Sequence, residues 1–230
     1  MAAARKRSVP YDRQVFLNCP FDDDYHPLLR AAVFTIHACG FTARIALENT
    51  GSESVRLDRL VQMIGECGLA IHDLSRVRLT SPTDLPRFNM PFECGVFYGA
   101  RRFGAQAQRR KRFLLLDKEP FQYQKTMSDA AGLDPRAHGD DPEKLIACVR
   151  DFLAAGLDPK PIGPTRISAL YKEFQLALPA ITAKAELTLA DIEPLTAFND
   201  WYLLATRWLL QQATPAKYPG LHRRAGRSLE

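Results

Sequence analysis

Apolar residues in this chain fall into two alternating patterns. Short unbroken runs, such as Val15-Phe16-Leu17 before Asn18-Cys19-Pro20, alternate with longer segments whose apolar positions recur at three and four. The first pattern predicts buried strands over Val15–Cys19, Phe41–Leu47, Leu69–His72 and Phe113–Asp117, with a short edge strand at Arg136–Gly139. The second predicts helices. Leu28, Leu29, Ala32, Val33 and Ile36 share one helical face, and Gly40 stands where a C′ glycine belongs. Arg56–Cys67 is amphipathic through Leu57, Leu60, Val61 and Ile64. Pro91–Phe103 and Pro142–Ala155 continue the series, the latter with proline in its first turn, and Tyr123–Ala131 is a weaker member. Continuously apolar strands alternating with helices imply an α/β fold, an open parallel sheet of four to five strands covered on both faces.

The stretch 156–164 carries three prolines and two glycines and reads as a linker. Beyond it, Thr165–Gln212 is helical in pattern, with breaks expected at Pro179 and Pro194. Its apolar stripe (Leu170, Phe174, Leu178, Ile181, then Phe198, Trp201, Leu204, Leu209) suits packing on the sheet domain or on a partner. Left exposed, that stripe favours self-association. The expected organisation is a flexible N-terminus over 1–12, the α/β domain over 13–155, the linker, a C-terminal helical extension over 165–212, and a basic tail over 213–230.

Composition narrows the class. A chain of 230 residues with 46% hydrophobic content can bury a substantial core. The net charge of +5 is concentrated at Arg101-Arg102, at Arg109–Arg112 and in the tail from His222. Such clusters are more often solvated faces than nucleic-acid arms, so a nucleic-acid partner is not expected. Five cysteines without a CxxC pair argue against a disulfide framework and fit a reducing cytoplasm. Met1–Arg7 leads into no apolar segment of a signal peptide, and no run approaches the ~20 residues of a membrane helix. His26, His37, His138 and His222 have no companions at ligand spacing, so no metal site is expected.

In a parallel sheet, residues at the carboxyl ends of strands face the ligand crevice. That rule selects Asn18, Cys19, Glu48, His72, Asp73 and Asp117, together with Glu93 from the helix after the third strand. A strand-terminal Asp can equally cap the next helix, and a first-turn Glu can simply answer the helix dipole. Glu93, however, lies among Met90, Pro91, Phe92, Cys94, Val96 and Phe97, where an unpartnered carboxylate is costly. Gly95 and Gly99, four apart, would let a backbone or a ligand approach that helix closely. Arg76, Arg78 and Arg87 in the intervening loop either face solvent or favour a substrate with phosphates.

Asp73-Leu74-Ser75, then Asn89, Glu93, Gly95 and Ala100, together with the opening Val15-Phe16-Leu17-Asn18-Cys19-Pro20-Phe21, resemble the nucleoside 2-deoxyribosyltransferase-like superfamily, close in fold to the TIR domains that cleave NAD. The likeness covers residues 13–155. It implies a flavodoxin/TIR-like sheet and cleavage of an N-glycosidic bond on a nucleotide or NAD-like substrate, in a bacterial defence or signalling setting. Glu93 then serves as the nucleophile at the anomeric carbon. Asp73 is the second catalytic group, with His72 as a further proton donor. Asn18 and Ser75 hold sugar hydroxyls, and Cys19, Phe21, Glu48, Arg76, Arg87 and Asn89 line the substrate. No cofactor is implied, NAD being a substrate. Two other readings compete with the enzyme: a crevice that senses a nucleotide without turning it over, and a TIR-like assembly module.

Overall fold

A computed structural model of the chain describes residues 9–48, 56–77, 87–120 and 133–212. Five strands form one sheet: β1 (Gln14–Asn18), β2 (Thr42–Arg44), β3 (Leu69–Asp73), β4 (Arg112–Asp117) and β5 (Arg136–Ala137). Every pairing is parallel and the order is β2-β1-β3-β4-β5, the flavodoxin-like arrangement. Connections reverse direction between β1 and β3, so a crevice opens at their carboxyl ends.

Strand periodicity sorts side chains between two layers. Val15, Leu17, Leu69, Ile71, Leu114 and Leu116 face one side, where α1 (His26–Ala38) and α5 (Pro142–Ala154) pack. Phe16 and Ala70 face the other, beneath α2 (Arg56–Glu66) and α3 (Asn89–Phe103). After α3 comes a single turn, α4 (Gln106–Arg109), where the sequence pattern shows no helix. The expected helix at Tyr123–Ala131 lies outside the described residues, as do residues 1–8 and the basic tail. Within the N-terminus expected to be flexible, Tyr11 is in fact tied down: its carbonyl accepts the Gly68 N–H at 2.9 Å. Gly68 is required there, because a Cβ would stand 2.9 Å from that carbonyl oxygen. Gly40 takes φ +80° past the end of α1, as the sequence predicts.

The C-terminal extension consists of α6 (Pro164–Lys184), α7 (Leu189–Ile192) and α8 (Phe198–Gln212). Pro179 does not break it. It sits on the solvent face of α6, while Phe174, Leu178 and Thr182 on the opposite face are buried. Packing of that face outweighs the ~3 kcal/mol proline costs a helix interior. The helix ends later, where Glu186 adopts φ +58° and the Leu187 N–H returns to the Thr182 carbonyl. Pro194 does interrupt, capping a short 3-10 turn ahead of α8.

The apolar stripe of the extension is not left exposed. Phe34 of α1 lies 5.6 Å from Phe174 and 5.1 Å from Tyr171, and Phe174 lies 5.5 Å from Trp208. Arg30 of α1 donates to the Ile192 and Glu193 carbonyls, closing the end of α7. Helix α1 is therefore covered both by the sheet and by the extension, which is why it is apolar nearly all round. The chain thus covers that stripe itself, while Leu176 and Leu203 of the extension stay exposed. Among the described residues no helix is long and apolar enough to cross a membrane.

Candidate functional site

Asp73 and His72 end the same strand, so their side chains leave on opposite faces of the sheet. Asp73 points to the α1 side and is wholly buried. Its Oδ2 accepts the Tyr25 hydroxyl at 2.6 Å and lies 3.1 Å from His138 Nε2, and its Oδ1 accepts the Ser75 N–H at 2.9 Å. Although burial alone raises a carboxyl's pKa, the donors from His138, Ser75 and Tyr25 hold that of Asp73 below the usual carboxylate value. His138 is itself oriented. Its Nδ1 accepts the Asp140 N–H at 3.0 Å, which leaves the proton on Nε2, facing Asp73.

His72 points the other way, into a box formed by Phe16, Phe97 and Phe113, with ring centroids 5.4–6.0 Å away. Asn18 Nδ2 donates to the Met90 carbonyl at 2.9 Å and lies 3.0 Å from His72 Nδ1. The Met90 oxygen can only accept, so Asn18 presents its amide nitrogen and His72 Nδ1 also accepts. Burial lowers the His72 pKa to about 3. A neutral imidazole with no exposed surface neither touches a substrate nor supplies a proton at neutral pH, contrary to the role expected of it. Asn18, with 4% of its surface exposed, works as a clamp between β1, β3 and the start of α3 rather than as an open sugar contact.

Glu93 lies in the opening turns of α3, between the buried Met90 and Cys94, and is half-buried. Burial raises its carboxyl to about 7, against a smaller opposing pull from Arg56. It is not turned out into bulk water. Cys19, just past β1, is fully buried, and its thiol is pushed well up by burial and by the charges of Asp73, Glu93 and Asp22. One thiol at the end of β1 thus senses carboxyls from the β1–α1 loop, from β3 and from α3. Asp22 sits in that first loop, accepting the Tyr25 N–H at 2.9 Å through Oδ1, and its Oδ2 lies 3.3 Å from Arg87 Nη1 and 3.8 Å from Arg76 Nε.

The remaining predicted residues divide. Ser75 Oγ is buried without a hydrogen-bond partner among the described residues. Phe21 packs partly against the α1-side core, and Asn89 is exposed at the first position of α3. Glu48 ends the 3-10 turn Ala46–Glu48, with its side chain outside the described residues, as is Arg78. Asp117 is buried and its Oδ1 accepts the next backbone N–H, that of Lys118, at 2.7 Å, a local role. Gly95 and Gly99 have open space where a Cβ would stand, so among the described residues no backbone approaches α3 there.

Sequence reasoning missed Tyr25, His138 and Asp22. His138 ends the expected edge strand, so the strand-end rule that picked Asp73 also applies to it. Tyr25 gave no such signal, since nothing in Asp22-Asp23-Asp24-Tyr25 shows its hydroxyl turning under the sheet. Among the described residues no group of three or more His, Cys, Asp or Glu is placed to hold a metal ion. Compared with protein-family models, curated proteins and solved structures, the chain gives no match.

Proposed function

We propose that the chain cleaves the N-glycosidic bond of a nucleotide or NAD-like substrate, with Glu93 as the reacting carboxylate. The observation that carries this reading is a half-buried carboxyl, raised to about 7 by burial, beside the β1/β3 switch point of the sheet. An oxocarbenium-like transition state gains most from a carboxylate held at the anomeric carbon in a partly desolvated site. Ionised Glu93 bonds to that carbon as the C–N bond breaks, and the base departs with the bonding pair: nicotinamide, cationic in NAD, leaves neutral, whereas a nucleobase leaves as an anion and takes a proton from water. Water then opens the glycosyl ester and returns Glu93. Asp73 acts at one remove: accepting from the Tyr25 hydroxyl and the Ser75 N–H, with His138 Nε2 3.1 Å away, it holds these three residues in register.

The test incubates the full chain with NAD and a panel of nucleotides and deoxynucleotides, and separates any free base by chromatography. Glu93→Gln is expected to abolish base release while leaving nucleotide affinity within about twofold, since it removes a bond formed only in the transition state. Unchanged release by the variant refutes the assignment. A second reading, nucleotide sensing without turnover, draws on the engagement of Asp73 with Tyr25 and Ser75, which keeps that carboxylate from serving as a second reacting acid. Tight nucleotide binding with no base released by the wild-type chain would favour it.

A further inference from the structure

We propose that Arg76 and Arg87 form a subsite for a phosphate group, which Asp22 occupies when no ligand is bound. The two arginines approach the crevice from either end of the loop that joins β3 to α3, and the Arg87 N–H meets the Arg76 carbonyl at 3.4 Å. Both guanidinium groups are aimed at one atom, Asp22 Oδ2, from 3.3 Å and 3.8 Å. Charge-assisted N–H···O contacts close to about 2.7–2.9 Å when well made. These are looser. The other Asp22 oxygen is already committed to the Tyr25 N–H, so the carboxylate cannot turn to meet either arginine with both oxygens.

The Arg76 side chain is only 15% exposed, so its charge is largely withdrawn from water while its acidic partner remains distant. A phosphate offers three oxygens where Asp22 offers one, and can meet two guanidinium forks at once. Asp22 therefore acts as an internal substitute, keeping the arginines neutralised in the empty protein and yielding to a better acceptor. The subsite spans the loops after β1 and β3, flanking the same crevice as Glu93. It deepens the proposed function, selecting phosphorylated nucleotides or dinucleotides over free nucleosides, and rests on that reading only for what the rest of the ligand is.

Isothermal titration of the full chain with inorganic pyrophosphate, at ~50 mM salt to limit screening, tests the subsite without reference to any base or sugar. Asp22→Asn keeps an acceptor for the Tyr25 N–H and removes the competing charge. It is expected to tighten pyrophosphate binding about tenfold, and Arg87→Gln to weaken it about tenfold, the scale of one charge-assisted contact. Arg87 is nearly half exposed, so its replacement leaves folding intact where Arg76→Gln need not. Absence of binding by both wild type and Asp22→Asn overturns the proposal, as does binding that neither substitution changes. Arginine-dependent pyrophosphate binding in a protein that frees no base keeps the subsite and removes the enzymatic reading. Base release from nucleosides and nucleotides at equal rates, with pyrophosphate ignored, does the reverse.

Discussion

Replacing Glu93 by Gln should change how stability depends on pH, whatever it does to chemistry. In the folded chain the carboxyl binds its proton more tightly than in the unfolded chain, with a pKa raised from 4.5 to about 7. Below pH 4.5 both states carry the proton and the group contributes its full stabilisation. Between 4.5 and about 7 the unfolded state gives up the proton first, so stability falls as pH rises. Above that window it levels off at the lower value. At ~1.4 kcal/mol per pKa unit the limit is roughly 3.4 kcal/mol. Solvent reaching the half-exposed side chain lowers this to about 1–2 kcal/mol. Glutamine carries no proton to lose. Urea denaturation of both proteins across pH 4 to 9 should therefore give curves that meet at the acid end and separate through the window, the variant being the more stable at pH 8. Parallel curves, or a variant less stable at pH 8, would show that Glu93 is hydrated like any surface acid. The same ionisation sets the rate if Glu93 is the nucleophile: base release should rise with pH through about 7.

Asp73→Asn replaces an acceptor of two hydrogen bonds beside the His138 ring with a group that brings donors of its own, and should cost about 3 kcal/mol in chemical denaturation. Because the Asp73 pKa is depressed, its stabilisation is present at neutral pH and is lost as pH falls below the ordinary carboxylate value, opposite in sign to Glu93. Tyr25→Phe removes one hydrogen bond to that charge and should cost about 1.5–3 kcal/mol, with little loss of packing. Phe174→Ala, in the aromatic cluster joining α1 to α6 and α8, should cost about 3–5 kcal/mol in a single cooperative transition; a separate early transition would show that the extension unfolds on its own. Native protein treated with a thiol reagent should modify Cys148 first, leaving the buried Cys19, Cys39, Cys67 and Cys94 until it unfolds.

The centre of the sheet was readable because β1, β3 and β4 are buried over most of their length, which makes each an apolar run that ends abruptly. Most boundaries moved by a residue or two, as where α3 begins at Asn89 rather than Pro91, while β2 ends at Arg44, three residues short of the expected Leu47. The extension was harder. Pattern shows that α6 has an apolar face, but not which surface covers it, and the clue lay elsewhere, in an α1 with ten of its 13 residues buried. At the site, the strand-end rule locates the edge but is blind to direction. Period two sends His72 and Asp73 to opposite layers, a consequence available from the sequence once β3 was placed. The partners of Asp73 were not available in that way. Tyr25 and His138 are separated from it by 48 and 65 positions, and only the closing of the sheet brings them together.

The two acids named from the sequence have become unlike, and the difference has a single physical origin. Both are withdrawn from water, which favours the neutral form of each. At Asp73 the Tyr25 hydroxyl, the Ser75 N–H and the neighbouring His138 ring overcome that penalty, so the charge stays and its acceptor capacity is used within the fold. At Glu93 the opposing influence of Arg56 is the smaller one, so the penalty stands and the carboxyl is raised to about 7. A carboxylate already engaged within its own fold has little left to offer a developing cation. The proposed division of roles, reaction at Glu93 and positioning at Asp73, rests on this difference in surroundings rather than on where each stands in the chain.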